Sequence, residues 1–260
     1  MKFSKYQGAG NDFIILNDLN HSHSDITPKQ IAALCDRRFG IGADGLLLLQ
    51  PANELAFRMK YYNSDGSLAS FCGNGARCIC AFALATGLVE TGRPFEFVAD
   101  DGRHRAVCTS ADHVDLQMID VERIGRIGDN IFAMNTGVPH YVEIVPSEQA
   151  LDAISIVERA RPIRFGERFA PQGTNVNFVA VSNIKHISIR TYERGVEDET
   201  LACGTGITAG AIAAGIISGA REFDVDARGG RLKVRFETDG TMARNVHLGG
   251  PAVRVFDGEI

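Results

Sequence analysis

The chain has 260 residues, with 27 basic against 32 acidic residues, a net charge of −5 and a hydrophobic fraction of 45%. At about 150 residues per domain, this length predicts one large or two moderate domains. No apolar run reaches the roughly eighteen residues of a membrane span, and no basic cluster indicates nucleic-acid binding. The opening residues lack the apolar core of a secretory signal. We therefore expect a cytoplasmic protein with a small-molecule ligand, and neither a nucleic acid nor a membrane as partner.

Strand-like segments separated by turn signals recur along the chain. They span residues 12–17, 45–50, 55–63, 175–182 and 185–193. Two amphipathic helices are predicted between them. The first has Thr27 as N-cap and Pro28 at its first position, and it should run to Gly40. The second should follow Ser147 and end before Pro162.

Two further helices are apolar or small on nearly every face and should be buried all round. One runs from Asn74 to a stop at Gly87, and the other runs from Thr205 to a stop at Gly219. Three glycines in the second helix, Gly206, Gly210 and Gly215, cost about 1 kcal/mol each relative to alanine. That cost predicts a neighbouring backbone packed closely against the helix.

The starts of these two helices share the pattern x-x-C-G-polar-G-apolar, around Cys72 and Cys203. The two cysteines are 131 residues apart (203 − 72), which is half the chain length. This spacing indicates an internal duplication and two similar lobes, with a boundary near residues 115–120.

A cysteine at a helix start can act as a base, because the helix dipole stabilises its thiolate. The adjacent amides can hold a carboxylate, and Gly73 and Gly204 let the ligand approach the backbone. A lone cysteine of this kind is more often an inert core residue, but two matched copies favour a functional pair. Two such sulfurs on opposite sides of one α-carbon could invert it. The other cysteines (35, 78, 80 and 108) are interpreted as core residues, all six are expected to be thiols, and no zinc spacing or other metal site is predicted.

Two segments, NSDGSLASFCGNGARC (63–78) and YERGVEDETLACGTG (192–206), resemble the signature segments of the diaminopimelate epimerases. GAGNDFIILN (8–17) and GIGADG (40–45) agree with the same family. The resemblance implies a racemase without pyridoxal phosphate or another cofactor, which interconverts LL- and meso-diaminopimelate in lysine and peptidoglycan precursor biosynthesis. It also implies a homodimer.

The implied fold is α+β, with two pseudo-symmetric lobes, each a curved sheet around a central helix, and the site in the cleft between them. We expect the first lobe to contain residues 1–116 and 252–260, with the terminal strand at 252–256 returning to it. The second lobe should contain residues 117–251.

By the same resemblance, Cys72 and Cys203 are the acid and base, and His140 and Glu193 tune the thiols. The reacting carboxylate would be held by amides at Gly73, Asn74, Gly204 and Thr205. The distal end of the substrate would be held by Asn11, Asn63, Asn175, Glu193 and Arg194, since arginine suits a carboxylate and glutamate suits an ammonium.

Two positions depart from the family pattern. Val138 stands where an asparagine is common, and Gly45 stands where some members have a glutamine, so recognition of the distal group is affected.

Gly40–Gly45 also matches GxGxxG, the fingerprint of a dinucleotide site. A helix precedes this segment and a strand follows it, which is the reverse of the order in a dinucleotide site.

Three other functions stay open at the level of sequence. A proline or hydroxyproline racemase would share the two-cysteine chemistry. A thiol acyltransferase or hydrolase would use one cysteine with His140 and form an acyl adduct. An amino-acid-binding protein of the same fold would bind diaminopimelate without exchanging its α-proton.

Overall fold

A computed structural model describes residues 1–69 and 71–260 of the chain. Ser70, which belongs to the first cysteine segment, lies outside the described residues. The chain divides into two compact units: unit 1 contains Met1–Leu116 and Gly249–Ile260, and unit 2 contains Gln117–Leu248. Within the described ranges, every helix is too short or too polar to cross a membrane.

Unit 1 is built on one sheet with two helices. Its strands are Lys2–Gly8 (β1), Asn11–Asn17 (β2), Gly45–Gln50 (β3), Arg58–Asn63 (β4), Leu68–Ala69 (β5), Phe95–Ala99 (β6), Gly102–Ser110 (β7) and most of His113–Gln117 (β8). Its helices are Pro28–Cys35 (α1) and Gly73–Ala85 (α2).

Unit 2 repeats this plan. Its strands are Ile124–Gly128 (β9), Ile131–Asn135 (β10), Pro139–Val145 (β11), Asn175–Asn183 (β12), His186–Glu193 (β13), Asp198–Thr200 (β14), Glu222–Ala227 (β15), Gly230–Thr238 (β16) and most of Ala243–Pro251 (β17). Its helices are Glu148–Asp152 (α3), Ile156–Arg164 (α4) and Gly204–Ser218 (α5), and a short 3-10 helix spans Glu167–Phe169. The last strand of the chain, Val253–Glu259 (β18), belongs to unit 1 and pairs with β1.

The strand pairing is the same in the two units. In unit 1, β1 and β2 are antiparallel, β2 and β3 parallel, β3 and β4 antiparallel, and β4 and β6 parallel. Unit 2 shows the same alternation: β10 and β11 are antiparallel, β11 and β12 parallel, β12 and β13 antiparallel, and β13 and β15 parallel. Helices α2 and α5 occupy the same place in this order, so the duplication indicated by the two cysteine segments is present in the topology.

Each sheet is covered by helices on both faces. In unit 2, the alternate residues Val176, Phe178 and Ala180 of β12 pack in one core with residues of α3 and α4. The other alternate residues face α5, because Asn177 and Val179 lie against its glycines. In unit 1, Leu46 and Leu48 of β3 likewise pack with α1. This sheet-and-helix arrangement is the α+β class predicted from the sequence.

Helices α2 and α5 are buried along most of their length, as their composition predicts. Residues 74–83 and 206–215 are buried on every face. Helix α5 ends at Gly219, whose φ of 81° is the left-handed conformation that favours glycine.

The glycines of α5 are approached closely, as predicted, but mainly by side chains. A Cβ at Gly206 would collide with Asn177 Oδ1, and one at Gly210 would lie 2.8 Å from Ile189 Cδ1. At Gly215 the neighbours are the Phe236 ring and the carbonyl of Ala220. The prediction of a neighbouring backbone is therefore wrong except at Gly215.

Two helix boundaries differ from the predictions. Helix α1 begins with the predicted Thr27 capping box but ends at Cys35, because the Asp36 carboxylate accepts the amides of Arg38 and Phe39 at 2.7 Å and turns the chain. The helix after Ser147 is broken at residues 153–155 into α3 and α4, and Pro162 lies inside α4. The predicted 55–63 strand is shorter and begins at Arg58.

We expect Gly210→Ala to destabilise the protein. Overpacking against Ile189 costs about 1–3 kcal/mol, which outweighs the gain of about 1 kcal/mol in helix propensity. The free energy of unfolding, measured by urea titration, should fall. The double variant Gly210→Ala with Ile189→Val removes the methyl group that is hit and should recover part of the loss. A Gly210→Ala protein more stable than the parent would contradict this packing.

Candidate active site

Cys72 and Cys203 are the N-cap residues of α2 and α5. Both have extended backbones, and their carbonyls accept the first helical hydrogen bonds, from Ala76 and Ile207 at 2.8 Å. Neither thiol caps its own helix. The first amides of each helix have no carbonyl partner within the helix, and they carry the positive end of its dipole. These amides include the predicted carboxylate binders at residues 73, 74, 204 and 205.

Cys203 lies beside a carboxyl group. Glu193 is the last residue of β13, and its carboxyl group lies beside the side chain of Thr200 and accepts a hydrogen bond from the thiol of Cys203. Burial raises the pKa of Glu193, and the neighbouring side chains of Thr200 and Cys203 partly offset the rise. The Cys203 sulfur is also 3.4 Å from Thr205 Oγ1. A carboxyl group in contact with a thiol can accept the thiol's hydrogen bond and stabilise its protonated form.

His140 is buried in β11 with its ring orientation fixed by Asn177. The Nδ2 atom of Asn177 lies 3.0 Å from His140 Nδ1 and donates a second bond to the Tyr141 carbonyl at 2.8 Å. Asn177 Oδ1 accepts a bond from the Thr191 hydroxyl at 2.9 Å. The amide therefore cannot be flipped without losing bonds, and His140 Nδ1 must be the acceptor.

The proton of His140 is consequently on Nε2, which is buried and has no hydrogen-bond partner among the described residues. Burial first, and then the charge of Arg194, lower the pKa of His140 to about 3. The ring is thus neutral at physiological pH. It can donate a bond from Nε2, but it can take a proton only by giving up the bond from Asn177.

Cys72 has an amide side chain as a neighbour. Its sulfur lies 3.6 Å from Asn11 Oδ1, which Asn74 Nδ2 also approaches at 3.4 Å. Asn11 Nδ2 donates to Asp44 Oδ2 at 2.6 Å, so Oδ1 is held towards Cys72. Asn11, expected at the distal end of the substrate, therefore lies against the first cysteine.

The GIGADG segment supports this asparagine. Asp44 binds Arg37 at 2.6 Å, and Arg37 also binds Asp12 at 2.7 Å, which in turn pairs with the buried Lys5 at 2.8 Å. Burial alone would raise the pKa of Asp12, but hydrogen bonds from Arg37 and Lys5 lower it to about 2. Helix α1 precedes this segment and β3 follows it, which is the context expected to exclude a dinucleotide site.

The remaining predicted residues lie at the ends of the central strands. Asn175, which begins β12, pairs with His140 in the sheet and accepts the Arg194 amide at 2.7 Å through Oδ1. The Arg194 guanidinium donates to the Gln172 carbonyl at 3.4 Å. Asn63 ends β4, where it pairs with Gly45 and donates to Ser67 Oγ at 3.1 Å.

The departure at Gly45 has a steric reason. A Cβ there would lie 2.7 Å from the Tyr61 ring and 2.5 Å from the Tyr62 carbonyl. The Tyr61 ring, which packs edge-on against Phe13, fills the space that a side chain at residue 45 would need. Val138 is the other position that departs from the family pattern, and its carbonyl accepts a hydrogen bond from the Thr136 amide at 3.3 Å.

Sequence reasoning missed four supporting residues: Asp44, Arg77, Asn177 and Thr191. A signal for Arg77 existed, since it is the one charged residue in a helix whose composition predicts complete burial. Asn177 gave a weaker signal as a polar residue two positions after Asn175 in an otherwise apolar strand. Thr191 could not have been found, because threonine is ordinary in strands.

We expect the His140 ring to be in the Nε2–H tautomer and to stay neutral between pH 5 and 8, because its pKa is lowered far below this range. Nitrogen-15 chemical shifts of labelled histidine should show a bare Nδ1. In Asn177→Asp the carboxylate should draw the proton to Nδ1, whereas Thr191→Val should leave the tautomer unchanged. A protonated Nδ1 in the parent protein would contradict the assignment.

Comparisons with known proteins bear on the fold and on the family of this chain. Among solved structures, a phenazine biosynthesis protein of the PhzF family from Bacillus anthracis matches with a TM-score of 0.76 at 13% identity, covering 100% of this chain and 98% of that one. A probable proline racemase from Agrobacterium radiobacter matches with a TM-score of 0.66 at 16% identity, covering 100% and 92%. At these identities the likeness concerns the fold alone.

The sequence comparisons reach further. A diaminopimelate epimerase from Flavobacterium psychrophilum is 43% identical over 263 residues, covering 99% of both chains. Another from Chlorobaculum tepidum is 38% identical over 260 residues, covering 97% of this chain and 98% of that one. The sequence profile of the diaminopimelate epimerases matches residues 3–124 and 132–255. This chain therefore belongs to the diaminopimelate epimerase family.

Proposed function

We propose that this protein is an isomerase that interconverts LL- and meso-2,6-diaminopimelate without a cofactor, by proton transfer between two cysteines and the α-carbon. The observation that carries the proposal is the matched pair of cysteine N-caps, one on the buried helix of each unit, in a chain of this family. Each cap joins a thiol to a set of helix amides, which are the two groups that the reaction needs.

In one turnover, the thiolate of one cysteine removes the α-proton from one face of the carbon. The thiol of the other cysteine delivers its own proton to the opposite face. The C–H bond that breaks is replaced by one of inverted configuration, and the two sulfurs exchange protonation states. The negative charge that develops on the substrate spreads into its carboxylate, where the amides at residues 73, 74, 204 and 205 can stabilise it.

The side chains around Cys203 favour its protonated thiol form. Glu193 accepts the hydrogen bond of the thiol, so we assign it the role of holding this proton when Cys203 acts as the acid. The Nε2–H of His140 is a donor without a partner among the described residues. We propose that it donates a hydrogen bond to an anionic group when the substrate is bound. This role for His140 is to donate a hydrogen bond and not to act as a base.

The distal amino-acid end of diaminopimelate carries one ammonium and one carboxylate. Arg194 supplies a guanidinium for the carboxylate, since its planar fork can bind both oxygens. Asn63 and Asn175 lie at strand ends where their amides can complete this recognition. We place the ammonium near Glu193 and expect Tyr61 to contact the substrate in place of the glutamine that Gly45 lacks.

We further propose that units 1 and 2 are the two lobes of the enzyme and that it works as a homodimer in the cytoplasm. Diaminopimelate serves the biosynthesis of lysine and peptidoglycan precursors. No nucleic acid, membrane or metal enters the proposed reaction, because the thiols and amides supply both the proton transfer and the charge stabilisation.

The direct test is incubation with LL-diaminopimelate in deuterated water. We expect meso-diaminopimelate to form with one deuterium at the inverted α-carbon. Chiral chromatography would detect the epimer, and mass spectrometry would detect the deuterium. Proline and hydroxyproline should not be racemised. A binding protein would retain the substrate without isotope uptake, and a thiol acyltransferase would form an acyl adduct of higher mass. Either of these last two results would overturn the proposal.

We expect Cys72→Ser and Cys203→Ser each to lower kcat on the order of 10²–10⁴-fold, because the pKa of a serine hydroxyl is far above that of a thiol and the hydroxyl is scarcely ionised at physiological pH. Turnover should be measured from both LL- and meso-diaminopimelate. Cys35→Ala, in α1 on the other face of the unit 1 sheet, is the control and should leave kcat within a factor of about two. Full activity in both serine variants would exclude the two-thiol mechanism.

A further inference from the structure

Arg77 is the largest fully buried side chain of the protein, with 0% of its surface exposed. It lies in the second turn of α2, five residues after Cys72. Its guanidinium donates to Asn74 Oδ1 at 2.9 Å and to the Pro251 carbonyl at 3.3 Å. The third nitrogen, Nη1, is buried without a hydrogen-bond partner in the described part of the chain.

This arginine has no carboxylate partner among the described residues. Buried charges are normally paired, because an isolated one costs several kcal/mol of desolvation. Burial lowers the pKa of Arg77, and negative charge on the sulfurs of Cys78, Cys72 or Cys80 would act in the opposite direction. An arginine nevertheless keeps its charge in proteins. Helix α2 therefore contains a positive charge that the surrounding fold leaves uncompensated.

The other charges near Cys72 are already paired. Asp12 and Asp44 are matched by Lys5 and Arg37. On the remaining side, His104 stacks on Phe71 and pairs with Asp101 at 2.8 Å. Cys78, in the next turn of α2, has a pKa raised to about 12 by burial and is a neutral thiol. Within the described residues, Arg77 thus remains a cation without a carboxylate partner near this end of α2.

A chain of contacts joins Arg77 to the Cys72 sulfur. Arg77 holds Asn74 Oδ1, which turns Asn74 Nδ2 towards Asn11 Oδ1 at 3.4 Å. Asn11 Oδ1 lies 3.6 Å from Cys72 Sγ. The amide oxygen of Asn11 favours a protonated Cys72, whereas the guanidinium of Arg77 favours its thiolate, so the two groups have opposite effects on this sulfur.

The duplicated unit lacks this charge. Thr208 stands five residues after Cys203, as Arg77 does after Cys72, and its hydroxyl donates to the Gly204 carbonyl at 2.9 Å. Conversely, Glu193 ends β13 beside Cys203, where the corresponding last residue of β4 is the neutral Asn63. The two copies of the motif therefore differ in charge: a cation supports the first cysteine and a carboxyl group contacts the second.

We propose that Arg77 is a positioning residue of the active site, whose buried guanidinium orients Asn74 and Asn11 and stabilises the thiolate of Cys72 when that residue holds the negative charge. This inference rests on the proposed function for its purpose. It assigns the thiolate state more readily to Cys72 and the thiol state to Cys203.

The test uses the pH dependence of alkylation, because only the thiolate reacts readily with iodoacetamide. In a Cys203→Ser background, modification of Cys72 is followed by peptide mass spectrometry from pH 5 to 10. We expect Arg77→Met to move the midpoint upward by about one pH unit or more, and so to slow alkylation about tenfold below the midpoint. An unchanged midpoint would overturn the proposal.

Arg77→Lys separates charge from shape. It keeps the positive charge but loses the fork that binds Asn74, and we expect a midpoint close to that of the parent together with a lower kcat. A midpoint raised as far as in Arg77→Met would show that charge is not the cause, and would also overturn the proposal. This variant decides the question even if Arg77→Met does not fold.

Alkylation of Cys203, measured in a Cys72→Ser background, is the matched control. Arg77→Met should leave its midpoint unchanged, since the hydrogen-bond partners of Arg77, Asn74 and Pro251, both belong to unit 1. A parallel shift of both cysteines would mean general loosening and would count against the proposal. Alkylation needs no turnover. A Cys72-specific shift, together with a parent protein that does not epimerise diaminopimelate, would therefore refute the proposed function and leave the role of Arg77 intact.

Discussion

The site depends on burying a helix made almost entirely of small and apolar residues inside each sheet. Because α2 and α5 are enclosed along most of their length, their first turns are fixed, and so are the cysteines that cap them. The same enclosure lowers the local polarity, so any charge near the caps acts strongly. The burial of Arg77 and Glu193 and the neutrality of His140 all follow from this single constraint.

Much of the fold could be predicted from the sequence because its signals are local. The central helices, the Thr27 capping box, the strands at residues 45–50 and 186–193 and the duplicated cysteine segments all follow from composition and spacing. The errors arose where side chains overrode propensity. The Asp36 carboxylate ended α1 early, and the helix after Ser147 was divided although its apolar pattern continues.

The candidate site was only partly predictable. The cysteines stand out by their repeat, and the family resemblance indicates His140, Glu193 and the substrate-binding residues. The hydrogen bonds that determine what these groups can do are not visible in the sequence. The tautomer of His140 is set by Asn177, which becomes its neighbour only when β11 pairs with β12. The orientation of Asn11 is set by Asp44, from a segment more than thirty residues away.

The equal topology of the two units and the unequal charges at their helix starts have an evolutionary consequence. In a symmetric assembly of two identical half-length chains, every arginine beneath one sulfur would be repeated beneath the other, and so would every glutamate. Joining the copies in one gene removed that obligation, and each half became able to mutate without imposing the same change on its sister. In the proposed mechanism, the covalent link therefore allows two chemically identical thiols to take different roles as acid and base.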